Sequence, residues 1–244
     1  ETLSKNLGFD NAPYNHYGAD WPDWLPKEPH DIKELLSSES FRKNVRSLRG
    51  KIDLVAGGPP CQGFSIGGAR NADDPRNELV FDFLDFVELC SPKFVVIENV
   101  EGMARAFNSK PSESSEKPVL KLVIERLDSL GYRANYSTLK AEEYGVPQTR
   151  RRVITLGIKK DICGDIDPKQ ILEHELRLVA TEQKKELGLP TDRPVNIEEA
   201  IGDLAGSDLV PCPDSTKFFS TPFTKAKSKY AKLMRKGIGA GSIP

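Results

Sequence analysis

No stretch of this chain stays apolar over the roughly 20 residues that a bilayer-spanning helix needs. Its first residues, Glu1-Thr-Leu-Ser-Lys-Asn6, have neither the basic start nor the apolar stretch of a secretory signal. Both absences predict an intracellular protein. An excess of one charge is missing too. The 35 Lys and Arg stand against 36 Asp and Glu, a formal net charge of −1, which excludes a protein that coats nucleic acid through bulk charge and leaves only local patches for such contact. The four cysteines, Cys61, Cys90, Cys163 and Cys212, lie far apart without a Cys-x-x-Cys pair, and the three histidines offer no zinc spacing. They read as free thiols of a reducing compartment, and no metal site is expected. No internal repeat is visible. With 29% charged and 38% hydrophobic residues over 244 positions, the composition is that of a globular protein able to bury one substantial core.

What is present centres on Asp53-Leu-Val-Ala-Gly-Gly-Pro-Pro-Cys-Gln-Gly-Phe-Ser65. Asp53 to Ala56 reads as a buried strand. Gly57 and Gly58 add backbone freedom while Pro59 and Pro60 remove donors and fix φ, so the chain must leave the sheet there. Cys61 therefore falls on a loop just past a strand's C-terminal end. In open α/β sheets that rim binds ligands, and a thiol on a stiff Pro-Pro segment is well placed for nucleophilic attack. The plain alternative is a small buried residue in a tight turn. A second strand-like run, Phe94-Val-Val-Ile-Glu-Asn-Val100, ends at the polar pair Glu98-Asn99. A third, Val153 to Ile158, is entered through Pro147-Gln-Thr-Arg-Arg-Arg152. A thiol, a carboxylate and paired guanidinium groups thus have a route to one pocket, although Glu98 taken alone is an exposed carboxylate at a strand end.

Around these runs the chain alternates. Glu1 to Leu7 reads as a helix closed by Gly8, and Pro13 to Pro29 as a surface loop with aromatic anchors. Lys33 to Leu48 has helical spacing at Leu35, Leu36, Phe41, Val45 and Leu48, with Asp31 placed to cap it. Ser65 to Pro75 reads as a mobile loop over a substrate, and Asn77 to Leu89 as a helix stopped by Ser91-Pro92. Asn108 to Pro118 reads as a surface loop, Val119 to Leu130 as a helix closed by Gly131, and Tyr132 to Leu139 as a strand. This order predicts an α/β fold with a parallel sheet and helices on both faces. A further helix is expected from Gln170 to Leu187. Two basic patches stand out, one between Lys140 and Lys160, the other formed by Lys217, Lys225, Lys227, Lys229, Lys232, Arg235 and Lys236 with no acid between them. Each is either a solvated surface or a nucleic-acid contact.

The motifs Pro-Pro-Cys-Gln-Gly-Phe-Ser, Glu-Asn-Val and Gln-Thr-Arg-Arg-Arg, in this order, resemble signatures of the cytosine-5 DNA methyltransferases of bacterial restriction-modification or orphan type. The resemblance implies a Rossmann-like α/β methyltransferase sheet, S-adenosylmethionine as cofactor and double-stranded DNA as partner, in a prokaryotic, nucleoid-associated cytoplasmic enzyme. It implies that Cys61 adds to carbon 6 of a flipped-out cytosine. Glu98 would hydrogen bond ring nitrogen 3 and the exocyclic amine, Arg152 would hold oxygen 2, and Arg150 would serve the flipped nucleotide or its phosphate. Asp31, Ile32, Pro60 and Leu79 would contact the cofactor. Gln62, Ser65, Asn99 and Gln148 would line the substrate.

The resemblance covers about residues 1–160 well and 190–235 loosely, so 1–160 is expected to be part of the catalytic domain and 161–244 a segment leading toward target recognition. The family's glycine-rich cofactor strand and its last motifs are not found, which predicts a fragment or one part of a longer or split enzyme, silent when isolated. Two other readings stay open: a tRNA cytosine-5 methyltransferase using the same motifs, and a regulatory nucleic-acid-binding module without catalysis.

Overall fold

The computed structural model describes residues 22–26, 28–60, 78–104, 118–205, 209–212 and 216–238. Cys61, Gln62 and Ser65, the helix expected at the start of the chain, the loop from Ser65 to Pro75 and most of that from Asn108 to Pro118 lie outside the described residues.

Four strands form the main sheet: β1 (Leu54–Gly57), β2 (Phe94–Asn99), β3 (Tyr132–Lys140) and β4 (Arg151–Lys159), in the spatial order β1-β2-β4-β3. Helices α1 (Ile32–Ser37), α2 (Glu39–Ser47), α3 (Leu79–Cys90) and α4 (Val119–Ser129) cover one face, where Val45, Leu84, Val87, Val123 and Leu127 meet Val55, Val95, Ile97 and Val153. Side chains alternate along a strand, so the next residues face the other way. Phe94, Val96, Ile154, Leu156 and Ile158 pack with Cys163 and Leu172 on the second face. That face is covered by α5 (Lys160–Cys163), α6 (Pro168–Gln170), a π turn (Ile171–Glu175) and α7 (Leu176–Glu186). Helices on both faces of an α/β sheet agree with the sequence expectation. Cover stops short of β1, whose Leu54 is 51% exposed. Among the described residues no helix is long and apolar enough to cross a membrane.

Three expectations need correction. The sheet is mixed: β1 and β2 are parallel, but β4 runs antiparallel to both β2 and β3. The connection 141–150 is shorter than the dozen or so residues that a parallel crossover needs, so β3 can reach β4 only by turning back. The single helix expected from Lys33 to Leu48 is two helices. Ser38 is extended (φ −79°, ψ 117°) and its hydroxyl accepts from the Phe41 amide, so a serine competing for backbone donors ends α1 and starts α2. The helix expected from Gln170 to Leu187 is divided by the π turn, which buries Leu172 and lets Glu173 accept from the Ser137 hydroxyl at 3.0 Å.

Beyond α7 come α8 (Ile197–Ile201), the short pair β5 (Val210–Pro211) and β6 (Phe219–Ser220), and α9 (Lys229–Met234). Asn196 and Glu199 form a capping box at the start of α8. Arg193 holds the Glu199 carboxylate through two bonds of 2.7 and 2.8 Å, and this pairing pulls the acid down to about 2. Arg235, grouped in sequence with the basic tail, is instead structural. It bonds the 5%-exposed Asp203 at 3.0 Å and lies 4.2 Å over the Phe223 ring. Lys225, Lys227, Lys229, Lys232 and Lys236 remain exposed.

Because Arg235→Met leaves the Asp203 carboxylate buried without its partner, it should destabilise the full-length protein by about 3–5 kcal/mol. Urea unfolding measures this, and a loss below about 1 kcal/mol, the level of a surface pair, would contradict it.

Candidate functional site at the strand-end rim

The reversed β4 brings its N-terminal end to the rim where β1 and β2 finish. Gly57 pairs with Ile97, Glu98 with Ile154 and Asn99 with Val153. Arg152 lies two residues before Ile154 and so on the same face as Glu98, in the diagonal position that long side chains can bridge. Its Nε is 2.5 Å from Glu98 Oε1, with the two side chains 23% and 46% exposed. A pair this open is worth only about 0.2–1 kcal/mol, so its effect is to orient two groups rather than to hold the fold.

Asn99 turns to the opposite face and is 4% exposed. Its Nδ2 donates to the Pro59 carbonyl at 3.2 Å, and its Oδ1 accepts from the Val100 amide at 2.9 Å. Expected to line the substrate, Asn99 has both polar ends occupied inside the chain, where it ties the end of β2 to the Pro59-Pro60 turn. Gly58 stands between the two strand ends. A Cβ there would lie 2.9 Å from Glu98 Oε2, and one on Gly57 would lie 2.5 Å from a Phe83 ring carbon. A side chain on Gly57 would therefore have to displace the Phe83 ring, and one on Gly58 the end of the Glu98 side chain. The repeated Gly-Gly ahead of Pro-Pro was the visible sign, but which side chain fills the space was not legible in it.

Around this pair the other expected residues fall into three groups. Pro60 is exposed at the rim, the last described residue before Cys61. Gln148 and Arg150 are exposed on the connection into β4. Arg151 is 3.8 Å from Glu101, whereas Arg150 has no ion-pair partner among the described residues. Asp31 caps α1, with Oδ1 accepting from the amides of Lys33 at 2.7 Å and Glu34 at 3.4 Å. Lys33 reaches Glu78 at 2.6 Å and Asp82 at 4.0 Å, which ties the first turn of α1 to the start of α3, where Leu79 lies. Cys90 and Cys163 are buried, Cys90 with its thiol pushed up to about 11 by burial, and Cys212 directly follows β5 of the separate β5-β6 pair.

A mixed α/β sheet thus gathers a carboxylate, arginines and a Pro-Pro turn at its strand ends, the rim where open α/β sheets receive ligands. The model of the C-5 cytosine-specific DNA methylase family matches residues 15–239, and the chain belongs to that family. Type II methyltransferase M.AgeI of Thalassovita gelatinovora is 36% identical over 210 residues, 84% of this chain and 46% of its own length. Type II methyltransferase M.DdeI of Desulfomicrobium norvegicum is 35% identical over 186 residues, 76% of this chain and 39% of its own. The chain thus spans less than half the length of these curated relatives. A crystal structure assigned as a DNA modification methyltransferase encoded within an E. coli prophage shares the fold, with TM-score 0.52 and 24% identity over 82% of this chain and 47% of its own.

Removing the Asn99 tie strands a carbonyl and an amide, so Asn99→Ala should lower unfolding free energy by about 1–3 kcal/mol. In Asn99→Asp the acceptor for Val100 survives, but a carboxylate faces the Pro59 carbonyl. Burial raises that acid above its unfolded value, so the variant should regain stability as pH falls toward about 4 and the protonated form can donate again. Denaturation across that range decides it; an Asp variant whose deficit from wild type is independent of pH would show that the tie is not made.

Proposed function

We propose that the full-length protein methylates carbon 5 of cytosine in double-stranded DNA, acting on nucleoid DNA in a bacterial cytoplasm as part of a restriction-modification pair or as an orphan enzyme. The observation that supports this reading most is the meeting of Glu98, Arg152 and the Pro59-Pro60 turn at one rim of a chain that belongs to the C-5 cytosine methylase family.

The family uses S-adenosylmethionine as methyl donor. The residues at the start of α1 and α3 fit its adenine. Asp31 spends Oδ1 on both cap bonds, which leaves Oδ2 without a hydrogen bond among the described residues, and Ile32 and Leu79 are each partly exposed. Asp31 would accept from the amino group and Ile32 and Leu79 would pack on the ring, with Pro60 nearer the reacting end. When bound, the cofactor supplies an electrophilic sulfonium methyl group.

Carbon 5 of cytosine is a poor nucleophile until a thiolate adds to carbon 6, and Cys61 is assigned that addition. Entry of the flipped base exchanges the Glu98–Arg152 pair for two contacts to the ring. Arg152 moves to oxygen 2, and Glu98, screened from water by the base, holds a proton toward nitrogen 3 and accepts from the amine. Carbon 5 is then nucleophilic, and after it is methylated the loss of its proton expels Cys61. Arg150, exposed and without an ion-pair partner among the described residues, holds the phosphate of the extruded nucleotide.

In the full-length protein Cys61→Ala should abolish methyl transfer and covalent trapping on 5-fluorocytosine duplex while leaving cofactor binding in place. Trapping by the alanine variant would put the nucleophile elsewhere. Glu98→Gln should slow single-turnover transfer by about 10²–10⁴-fold, the range for loss of a general acid, with little change in affinity for unmethylated duplex. An equal loss of DNA affinity with an unchanged rate would make Glu98 structural.

A further inference from the structure

Among the described residues Lys184 is the only buried lysine, 9% exposed, and it forms no ion pair. Its Nζ donates to the backbone carbonyl of Glu143 at 3.0 Å. The lysine buries its stem and spends its part-buried ammonium on a carbonyl instead of a carboxylate, and a methionine would fill the same stem space without that bond. Stability alone does not account for it.

The surroundings of Lys184 explain the choice. Helix α7 buries only Ala180 and Lys184, one turn apart, and leaves Leu178 and Val179 each 50% exposed. The buried stripe rests on the 3-10 turn Ala141–Tyr144 that opens the connection from β3 to β4. The Glu143 carboxylate takes Arg177 of α7 at 2.9 Å and Lys140 at 3.7 Å. Next comes Gly145, at φ +84°, where a Cβ would lie 3.6 Å from Lys184 Cγ and 3.7 Å from Leu189 Cδ1. The rest of the connection is closed on itself, with Ala141 N donating to Arg150 O and Arg150 N to Gln148 O, both at 2.8 Å. What holds its first turn thereby sets where its last residue, Arg150, stands. Helix α7 lies between the two stretches that carry the family motifs, so nothing in those motifs implies this contact.

We propose that Lys184 is a positioning residue for the reaction, clamping the 141–150 connection onto α7 so that Arg150 is held in place for a DNA phosphate. The proposal rests on the reading of Arg150 given above. In the full-length protein, Lys184→Met should raise KM for duplex DNA about tenfold, the equivalent of one hydrogen bond from a charged group, and change kcat less than about twofold. Its thermal midpoint should change little, because methionine keeps the buried stem and only one part-buried hydrogen bond is lost. Lys184→Arg keeps a donor and should recover the wild-type KM. Added to Arg150→Ala, Lys184→Met should raise KM no further, since both act through one contact. An unchanged KM in Lys184→Met, or effects that multiply in the double variant, overturns the clamp. Should Lys184→Met not fold, Arg177→Met, which removes the exposed tie to Glu143, is read in the same way. If Arg150→Ala alone leaves KM unchanged, the reading of Arg150 fails and the clamp with it; if Arg150→Ala raises KM and Lys184→Met does not, only the clamp fails.

Discussion

The reversal of β4 between β2 and β3 is the constraint on which the site depends. Parallel strands all end on one edge, so an arginine run at the start of a strand would be carried away from residues at the ends of its neighbours. Turned end for end, β4 would carry Arg152 to the place of Ile158, about 20 Å along the strand. In the observed register Glu98 faces Ile154, and Arg152 is its diagonal neighbour. The short connection 141–150 makes the reversal obligatory, and it also places Gln148 and Arg150 on the same rim.

Within that rim the forces divide by face. Glu98 and Arg152 stand on the open side, where solvent weakens their attraction and either group can be turned over to a ligand without a large penalty. Asn99, one residue further on, points into the packed side and uses its amide to join two loops. Hydrogen bonds to buried backbone groups are worth little when made and much when lost, so this residue holds the Pro59-Pro60 turn more firmly than its single contact suggests. Adjacent positions in one strand thus perform opposite tasks, because the pleat sends one to water and the other to the core.

The segment after β4 is more than a connector. From α5 to α7 it covers the second face of the sheet and meets the edge strand β3, where Asn135 donates to Asp167 at 3.1 Å and Ser137 to Glu173. Further on, the Asp203–Arg235 pair and the capping box of α8 organise a second packed unit around Leu189, Val195 and Ala200. Arg235 shows how a basic run can mislead: one cation of the series is spent inside, and only the rest face solvent.

The four strands, the three helices α2, α3 and α4, and the placing of Glu98 and the arginine run at strand ends were legible in the sequence, because apolar spacing and Gly/Pro breaks are local properties that each segment expresses alone. Asp31 as a cap was legible for the same reason. Strand direction was not, since it depends on how a connection of given length closes between strands far apart in sequence, although the shortness of 141–150 held the clue. The break at Ser38, the diversion of Arg235 to Asp203 and the tie of Asn99 to Pro59 were decided by tertiary structure. Each turns on which distant polar atom happens to lie within about 3 Å, a distance that spacing along the chain does not encode.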